Sequence, residues 1–312
     1  MFRIFRSVTA AAVLAAAPVA SQAASVDALE MLATFNSIAL GDYQTSSHTE
    51  GPAYVGGDFI SGATDVNGDG SPNGRVGDIE AALVVGGDVV GSNTKIQNGD
   101  VYLGGSGSVI NNSGGTITYG SVPVADVTAA FQSLSAHLAS YDTDTPGASA
   151  DASDINQKKI VSGAGGSGLL SNFAVLNLDA SFFDGGSLSQ FSIDPGVTLL
   201  INASGTNVTL SGNFNAISDH VIVNFFEATT LALSNGNFGF SILAPLADIS
   251  NVASGIYGTM VGKSITSSAE IRRGFNGELP PSSPPPVPLP AGLVLLLSGL
   301  GAFGVARARK AA

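Results

Sequence analysis

Short apolar runs rich in Val, Ile and Leu alternate with clusters of Gly, Asn and Ser through most of the 312-residue chain. Runs of about four to eight residues with such boundaries are typical of β-strands. Their fairly even spacing suits a β-solenoid, a sandwich or a barrel. The clearest candidates are Phe173–Asp179, Val197–Asn202, Asn207–Leu210, His220–Asn224, Thr230–Leu233, Phe240–Leu243 and Gly258–Val261.

One segment of the first half is repeated along the chain. His48–Asp58 aligns with Asp78–Asp88: both segments carry Glu at the third position and both end in Val-Gly-Gly-Asp. A weaker third copy is Asp100–Gly105. β-Branched runs that end in Gly-Gly suit a coiling β-structure, with the glycines at the corners. We predict a mainly β fold, a right-handed β-solenoid. Two hairpins of a β-sandwich would produce the same repeat, so the β-sandwich is the alternative.

Another segment has the periodicity of a helix. Its apolar residues alternate three and four positions apart, so that all of them fall on one side of an α-helix. We predict one amphipathic helix over Ala125–Ser140, packed alongside the sheet, and a polar linker or long loop over Asp142–Asp154. The apolar residues are Val124, Val127, Phe131, Leu134, Leu138 and Tyr141.

The N-terminus has the three parts of a secretory signal peptide. Arg3 and Arg6 form a basic region, residues 8–19 are apolar, and small residues precede a cleavage point after Ala23. We therefore expect export by the secretory route, with signal peptidase as a partner of the chain.

The C-terminus combines a proline-rich stretch, an uncharged apolar run and a basic tail. As a helix the run, residues 291–306, would be about 24 Å long, against roughly 30 Å of bilayer hydrocarbon. Arg307, Arg309 and Lys310 would hold its end on the cytoplasmic side. We expect a transmembrane helix that inserts transiently into the inner membrane.

A five-residue motif stands directly before this run: Val287, Pro288, Leu289, Pro290 and Ala291. Together with the apolar run and the basic tail it resembles the VPLPA variant of the PEP-CTERM sorting signal. The resemblance implies an exosortase-type processing enzyme that cuts near Pro290–Ala291 and releases or re-anchors the body at the surface of a Gram-negative cell.

These features divide the chain into four parts. They are a signal peptide (1–23), a β-rich domain (24–279), a Pro-rich linker with the start of the sorting motif (280–290), and a transmembrane sorting segment with its basic tail (291–312).

The charge balance restricts the class of partner. Five of the twelve basic residues lie in the two terminal segments, so the body between them carries seven basic and 24 acidic side chains, a formal charge of −17. Binding to nucleic acid needs a basic surface, and we exclude it. The chain has no Cys, which excludes disulfides, thiolate metal sites and thiol catalysis.

One loop has the spacing of a calcium-binding loop. Asp69, Ser71, Asn73 and Glu80 fall at positions 1, 3, 5 and 12 of an EF-hand-like pattern, with Gly74 at the turn. The flanking residues do not form helical patterns, and a polar turn rich in Asp and Gly gives the same sequence. We keep Ca²⁺ as a hypothesis and expect no other cofactor.

Catalytic motifs are scarce. The three histidines lack zinc-site spacing and no nucleophile elbow is present. Glu227 is a candidate acid for glycoside hydrolysis, but a strand-end carboxylate bonded to the backbone of the next turn is the commoner role. We predict no catalytic residue and no enzyme activity.

A set of short pieces between about residues 28 and 280 has a distinctive order and spacing: Phe35-Asn36, Leu40–Asp42, the two Glu…Gly-Gly-Asp repeats, Leu199–Asn202, Ser204-Gly205, Asn224–Thr230, Ser241–Pro245, Gly258–Ser264 and Glu270–Gly277. Together these pieces resemble the choice-of-anchor A domain of bacterial surface proteins. That family appears with different C-terminal anchors, and a VPLPA-type tail is one of them. A helix beside a β-helix is also similar to the ice-binding adhesin fold.

The resemblance implies an exported, non-catalytic protein of the cell surface or extracellular matrix. Its role would be structural or adhesive and associated with biofilm, and extracellular polysaccharide would be a partner. The alternatives are a secreted carbohydrate-active enzyme built on a β-solenoid, and an adhesin that binds ice or glycans.

Overall fold

The computed structural model describes residues 25–141, 148–162, 172–214, 219–251, 255–272 and 274–280. The described part is mainly β, with two α-helices and one short 3-10 helix (Ala180–Phe183). The predicted signal peptide, the sorting motif and the apolar C-terminal run lie outside the described residues. Neither described helix combines the length and the apolar character that a membrane-spanning helix requires.

The first half of the chain carries α1 (Ala28–Thr34), β1 (Ser37–Ala39), β2 (Tyr43–Thr45), β3 (Ala53–Val55), β4 (Phe59–Ser61), β5 (Thr64–Val66), β6 (Gly74–Val76), β7 (Ile79–Ala81), β8 (Leu83–Val85), β9 (Val89–Gly91), β10 (Thr94–Ile96), β11 (Val101–Leu103), β12 (Ile110–Asn111), β13 (Ile117–Tyr119) and α2 (Val124–Ala139). The second half carries β14 (Ser149–Asp151), β15 (Lys158–Ser162), β16 (Phe173–Asp179), β17 (Asp184–Ile193), β18 (Thr198–Ser204), β19 (Asn207–Phe214), β20 (Val221–Asn224), β21 (Thr230–Phe238), β22 (Ser241–Asn251), β23 (Gly255–Tyr257), β24 (Met260–Ser267) and β25 (Ile271–Arg272).

The strands stack into three parallel ladders that form three faces of one solenoid. The helix-covered face is β13-β11-β8-β3-β1-β24-β22-β20-β18-β16. The open face is β9-β4-β2-β24-β22-β21-β19-β17-β15. The third face joins β12-β10-β5 to β25-β23-β21 through bridges at Thr49.

This pairing decides between the two predicted architectures. Within the described residues only β6–β7 and β14–β15 pair antiparallel. Because a sandwich packs two antiparallel sheets, the β-sandwich alternative is wrong and the β-solenoid is confirmed. All seven candidate strands are strands. The predicted linker 142–154 is wrong in part, since Ser149–Asp151 forms β14 at the edge of β15.

The chain does not climb the solenoid from one end to the other. It begins in the middle at β1, proceeds through β3, β8 and β11 to β13, and then crosses back along α2. It restarts at the opposite end and returns through β16, β18, β20 and β22 to β24, which pairs with β1. Ile38 therefore lies between Tyr54 of the first half and Val261 of the second.

The Gly-Gly-Asp repeat marks the corner between the helix-covered face and the open face. Ala53 pairs with Leu83, which is the offset of 30 seen in the sequence. A Cβ on Gly57 would overlap the Asp42 carboxylate, and one on Gly87 would overlap the Asp58 carboxylate. The second glycine of each repeat therefore makes room for the Asp of the neighbouring rung.

Helix α2 packs against the sheet as predicted, with bounds within one residue of Ala125–Ser140. Val127, Phe131, Leu134 and Leu138 are buried against it. A row of three Asn side chains, two of them buried and one exposed, completes the contact. Its members are Asn177, Asn202 and Asn224, which hydrogen-bond to one another and to Ser135, Leu138 and Tyr141 of the helix end.

The end of the solenoid opposite β13 is closed by its own groups. Lys158 is buried, and its Nζ donates to the carbonyls of Phe182 at 2.6 Å and Gly185 at 2.9 Å. Desolvation lowers the pKa of this ammonium, and Asp184 opposes that shift. The ring of Phe214 lies under the charge. The β14–β15 hairpin then finishes the open-face ladder.

Candidate functional site

The open face presents one straight row of side chains in register. Strand pairing aligns seven residues, one from each of seven adjacent strands. Six of the seven are exposed and Ile60 is half-buried. At about 4.8 Å per strand the row is about 29 Å long. Its members, from the second half of the chain toward β9, are Thr209, Ala232, Ser250, Thr266, Gln44, Ile60 and Val90.

Alternation along each strand produces this row. In Asp248-Ile249-Ser250 and Ser264-Ile265-Thr266, the Ile side chains enter the core while their neighbours point outward. The seven residues of the row are uncharged, whereas Asp248, which also points outward beside the row, is paired with Lys263. A shallow groove of about 460 Å³ follows the row and is lined by Gln44, Ile60, Ser250 and Thr266, among others.

A second row, rich in carboxylates, borders the open face at the Gly-Gly-Asp corner. Asp42 Oδ1 accepts the N–H of Asp58 at 2.8 Å, and Asp58 Oδ1 accepts the N–H of Asp88 at 2.8 Å. Asp88 in turn accepts two bonds from Ser106, and these lower the pKa of its carboxyl group. Farther along, the Ser264 hydroxyl and then Lys263 lower the pKa of Asp248.

Short polar side chains close the corner on the other side of the row. Thr45 Oγ1 accepts the N–H of Ser47 at 3.1 Å, and Ser267 Oγ accepts the N–H of Ala269 at 3.3 Å. Such local bonds are the means by which Ser and Thr stabilise turns. Because Thr45 and Ser267 are register partners, the two corners repeat the same turn and keep the edge of the face straight.

The third face has a different chemistry. His48 Nδ1 lies 3.7 Å from Asp65, and Arg272 lies between Glu50, at 3.6 Å, and Glu270. This face therefore carries charged side chains, and Arg272 is paired with carboxylates within the fold. The open face differs in having one uncharged row along seven of its strands, and the helix-covered face is closed by α1 and α2.

The proposed calcium ligands are held by other groups. Asp69 Oδ1 accepts the N–H of Ser71 at 2.9 Å. Asn73 exchanges two hydrogen bonds with Asp100, at 3.0 and 3.1 Å. Glu80 faces Arg75 across the β6–β7 pair at 3.7 Å. Asn73 and Glu80 would have to leave these partners to bind a cation, and Ca²⁺ at this loop stays a prediction.

Glu227 has the structural role that the sequence favoured. Its Oε1 accepts the N–H of Gly205 on a neighbouring rung at 2.7 Å. Among the described residues, no group of three or more His, Asp and Glu side chains is arranged to hold a metal ion. Cleavage at Ala23, the sorting motif and the membrane segment involve residues that the structure does not describe.

Sequence reasoning missed the open face as a site. The signal was present as alternation in Asn207–Thr209, Asp248–Ser250 and Ser264–Thr266, where each apolar residue is flanked by polar ones. Each stretch by itself predicts only a strand with one solvent-exposed face. The straight row depends on register between strands that are far apart in sequence.

Comparison with known proteins agrees with this geometry. Residues 28–273 match the family model described as "Putative Ice-binding-like adhesive domain". No curated protein and no solved structure matches the chain. The matched range covers more than half of the chain, and it contains every helix and strand of the described residues and the whole open face. The chain belongs to this family of ice-binding-like adhesive domains.

Proposed function

We propose that the protein is a non-catalytic surface adhesin whose open face binds extracellular polysaccharide. The single observation that carries this proposal is the seven-residue row of short, mostly polar side chains on a flat face that no described element covers. Membership of an adhesive-domain family supports the same class of function.

The chemistry of the row suits a sugar polymer. Thr209, Ser250, Thr266 and Gln44 offer hydroxyl and amide groups that both donate and accept hydrogen bonds. Ile60 and Val90, at one end, offer aliphatic contacts to the C–H faces of sugar rings. A regular repeat of strands at about 4.8 Å presents these groups periodically, as a linear polymer requires. Because carboxylates border this row and the body is acidic, a neutral or cationic polymer fits the face better than an anionic one.

Substitutions on the row test this function. We expect Ser250→Tyr and Thr266→Tyr to weaken binding of the full chain to insoluble extracellular polysaccharide of its host about tenfold or more, which is about 1.4 kcal/mol. Tyrosine suits an exposed strand position, so the fold should persist. Ser133→Tyr, on the exposed side of α2, is the matched control and should bind normally. Equal binding by all three variants would rule out the open face.

Ice is the second candidate ligand, favoured by the description of the family. A flat row of Thr and Ser side chains would bind a solid surface through the same groups. Thermal hysteresis that is lost in Ser250→Tyr and Thr266→Tyr would assign the open face to ice, and retention of polysaccharide binding by both variants would complete that assignment.

The terminal signals complete the proposed function. Signal peptidase would cut after Ala23, and the apolar segment 291–306 would pass transiently through the inner membrane. An exosortase-type enzyme would then cut at Pro290–Ala291 and leave the β-rich body at the cell surface or in the matrix of a biofilm. Polysaccharide binding by the open face would join the body to that matrix.

A further inference from the structure

The β13 end of the solenoid, which we name the tip, consists of β12, β13 and the loops around them (residues 104–121). Within the described chain β13 pairs only with β11, and β12 only with β10. Both last strands therefore leave one backbone edge unpaired. Unpaired edges readily accept another strand, which is why proteins usually cover or charge them.

The core also stops abruptly at the tip. Ile117 and Tyr119 continue the inward-facing positions of Val101 and Leu103, which are buried. Ile117 is 41% exposed and Tyr119 is 62% exposed, because no further described rung follows them. The next rung of a solenoid would cover both side chains and satisfy the edge of β13.

The tip is uncharged, so the tips of two copies would not repel each other. Residues 101–125 contain no Asp, Glu, Lys, Arg or His, whereas the rest of the body is strongly acidic. The carboxylates of Asp88 and Asp100, next to the tip, accept hydrogen bonds from Ser106 and Thr116, and Asp126 follows on α2. Most pairs of surfaces on two copies of this chain would repel, and two tips would not.

The C-terminal segment leaves from the other end. Phe275 N donates to Thr259 Oγ1 at 3.0 Å, and farther on Glu278 N donates to Thr198 Oγ1 at 2.8 Å. Asn172 then reaches Glu278 at 3.2 Å, next to β16. Successive contacts thus move away from the tip, and the described chain ends at Pro280 near β16.

We propose that two copies of the protein bind tip to tip. A twofold axis between their β13 strands would pair these edges antiparallel and bury Ile117 and Tyr119 of each copy against the other. The ten-stranded ladder of one copy is about 43 Å long, so the two C-terminal exits would lie about 90 Å apart, facing opposite ways. This inference rests on the proposed adhesive function for its role: anchored copies would bridge two surfaces.

Sedimentation velocity of the protein recovered from its host tests the pairing. We expect a concentration-dependent dimer that Ile117→Glu dissociates at least 100-fold more readily, because the charge would be buried in the contact. Ile155→Glu, on the exposed surface near the other end, is the matched control and should not change the dimer. A monomer at all concentrations up to about 0.1 mM, or a dimer unaffected by Ile117→Glu, would overturn the proposal.

The absence of Cys provides a second measurement. Thr118 is the middle residue of β13, so a Thr118→Cys thiol would meet its copy across the twofold axis. Opposed residues of antiparallel strands lie about 4.5–5.5 Å apart at Cα, which permits a disulfide. We expect oxidised dimers from Thr118→Cys and none from Ile155→Cys. Polysaccharide binding by the monomeric Ile117→Glu variant separates this contact from the open face, since only the first would be lost.

Discussion

Ser135 of α2 and Asn224 of β20 exchange two hydrogen bonds across the helix–sheet contact. The Ser135 hydroxyl donates to Asn224 Oδ1 at 2.6 Å, and Asn224 Nδ2 donates to the Ser135 carbonyl at 2.9 Å. Both side chains are buried. The helix is therefore fixed at one position along the ladder as well as being packed on it.

Asn224→Ala is predicted to destabilise the fold by about 2–3 kcal/mol, because it leaves the buried Ser135 hydroxyl and an Asn202 bond unmatched. The measurement is the urea midpoint of unfolding. Asn177→Ala, at the exposed end of the same row, is the control and should cost less. Equal losses for both variants would contradict a central role for the Ser135–Asn224 pair.

Gly87→Ala is predicted to destabilise the solenoid by about 1–3 kcal/mol, the usual range for overpacking. Its new methyl group would overlap the Asp58 carboxylate and the Gly57 carbonyl. Gly62→Ala is the matched control, because a Cβ there meets open space. Thermal unfolding of the two variants makes the comparison, and a Gly87→Ala protein as stable as wild type would refute the corner geometry.

Stability is predicted to fall in acid. Hydrogen bonds lower the pKa values of Asp88, Asp100 and Asp248 in the folded chain. A carboxylate with a lowered folded pKa stabilises the fold above its ordinary pKa, and this contribution is lost as the pH falls through the folded value. We expect the melting temperature to drop below about pH 4.

Ser106→Ala is the variant that checks this acid effect, since it removes the hydroxyl that donates to Asp88 at 2.9 Å. The difference in melting temperature between wild type and Ser106→Ala should be largest near neutral pH and shrink in strong acid. If the difference in melting temperature is the same at all pH values, the Ser106 hydroxyl stabilises the corner independently of the charge of Asp88, and the prediction is wrong.

The calcium hypothesis predicts a calorimetric signal on titration of the chain with Ca²⁺. Asp69→Ala should abolish this signal, and Asp78→Ala, in the same region but outside the proposed ligand set, should keep it. No heat from the wild-type chain would end the hypothesis.

Processing at both ends predicts a defined mass. Intact-mass spectrometry of the protein from the membranes and from the medium of its host should show a chain that lacks residues 1–23 and the part after about Pro290. A mass that retains Lys310, found only in membranes, would instead make the C-terminal segment an ordinary anchor.

The sequence predicted the local elements well, because their signals are local. Alternation and glycine corners indicated the strands, and the spacing from Val124 to Tyr141 indicated α2. The repeat even gave a true register, since Ala53 pairs with Leu83. The sequence does not reveal pairings between distant segments. No residue near Ile38 indicates that this residue pairs with Val261 on one side.

The candidate site was hidden for the same reason. Gln44 becomes part of one surface only when Thr266 pairs beside it and Ser250 beside that. The loop around Asp69 has the residue spacing of a calcium-binding motif. In the fold, however, Asn73 of this loop is hydrogen-bonded to Asp100. Motif spacing indicates chemistry that is local in sequence, and a flat face assembled from seven strands has no such spacing.

The central position of β1 sets an order of events for a newly made chain. Val261 follows Ile38 by 223 residues. The first strand to be synthesised, β1, therefore cannot pair with β24 until almost the whole chain has been made. Until then the first half exposes an unpaired edge at β1, where β24 will bind, and that edge can capture strands of other nascent chains. The pairing of β1 with β24 is therefore the step before which a newly made chain most needs protection by chaperones.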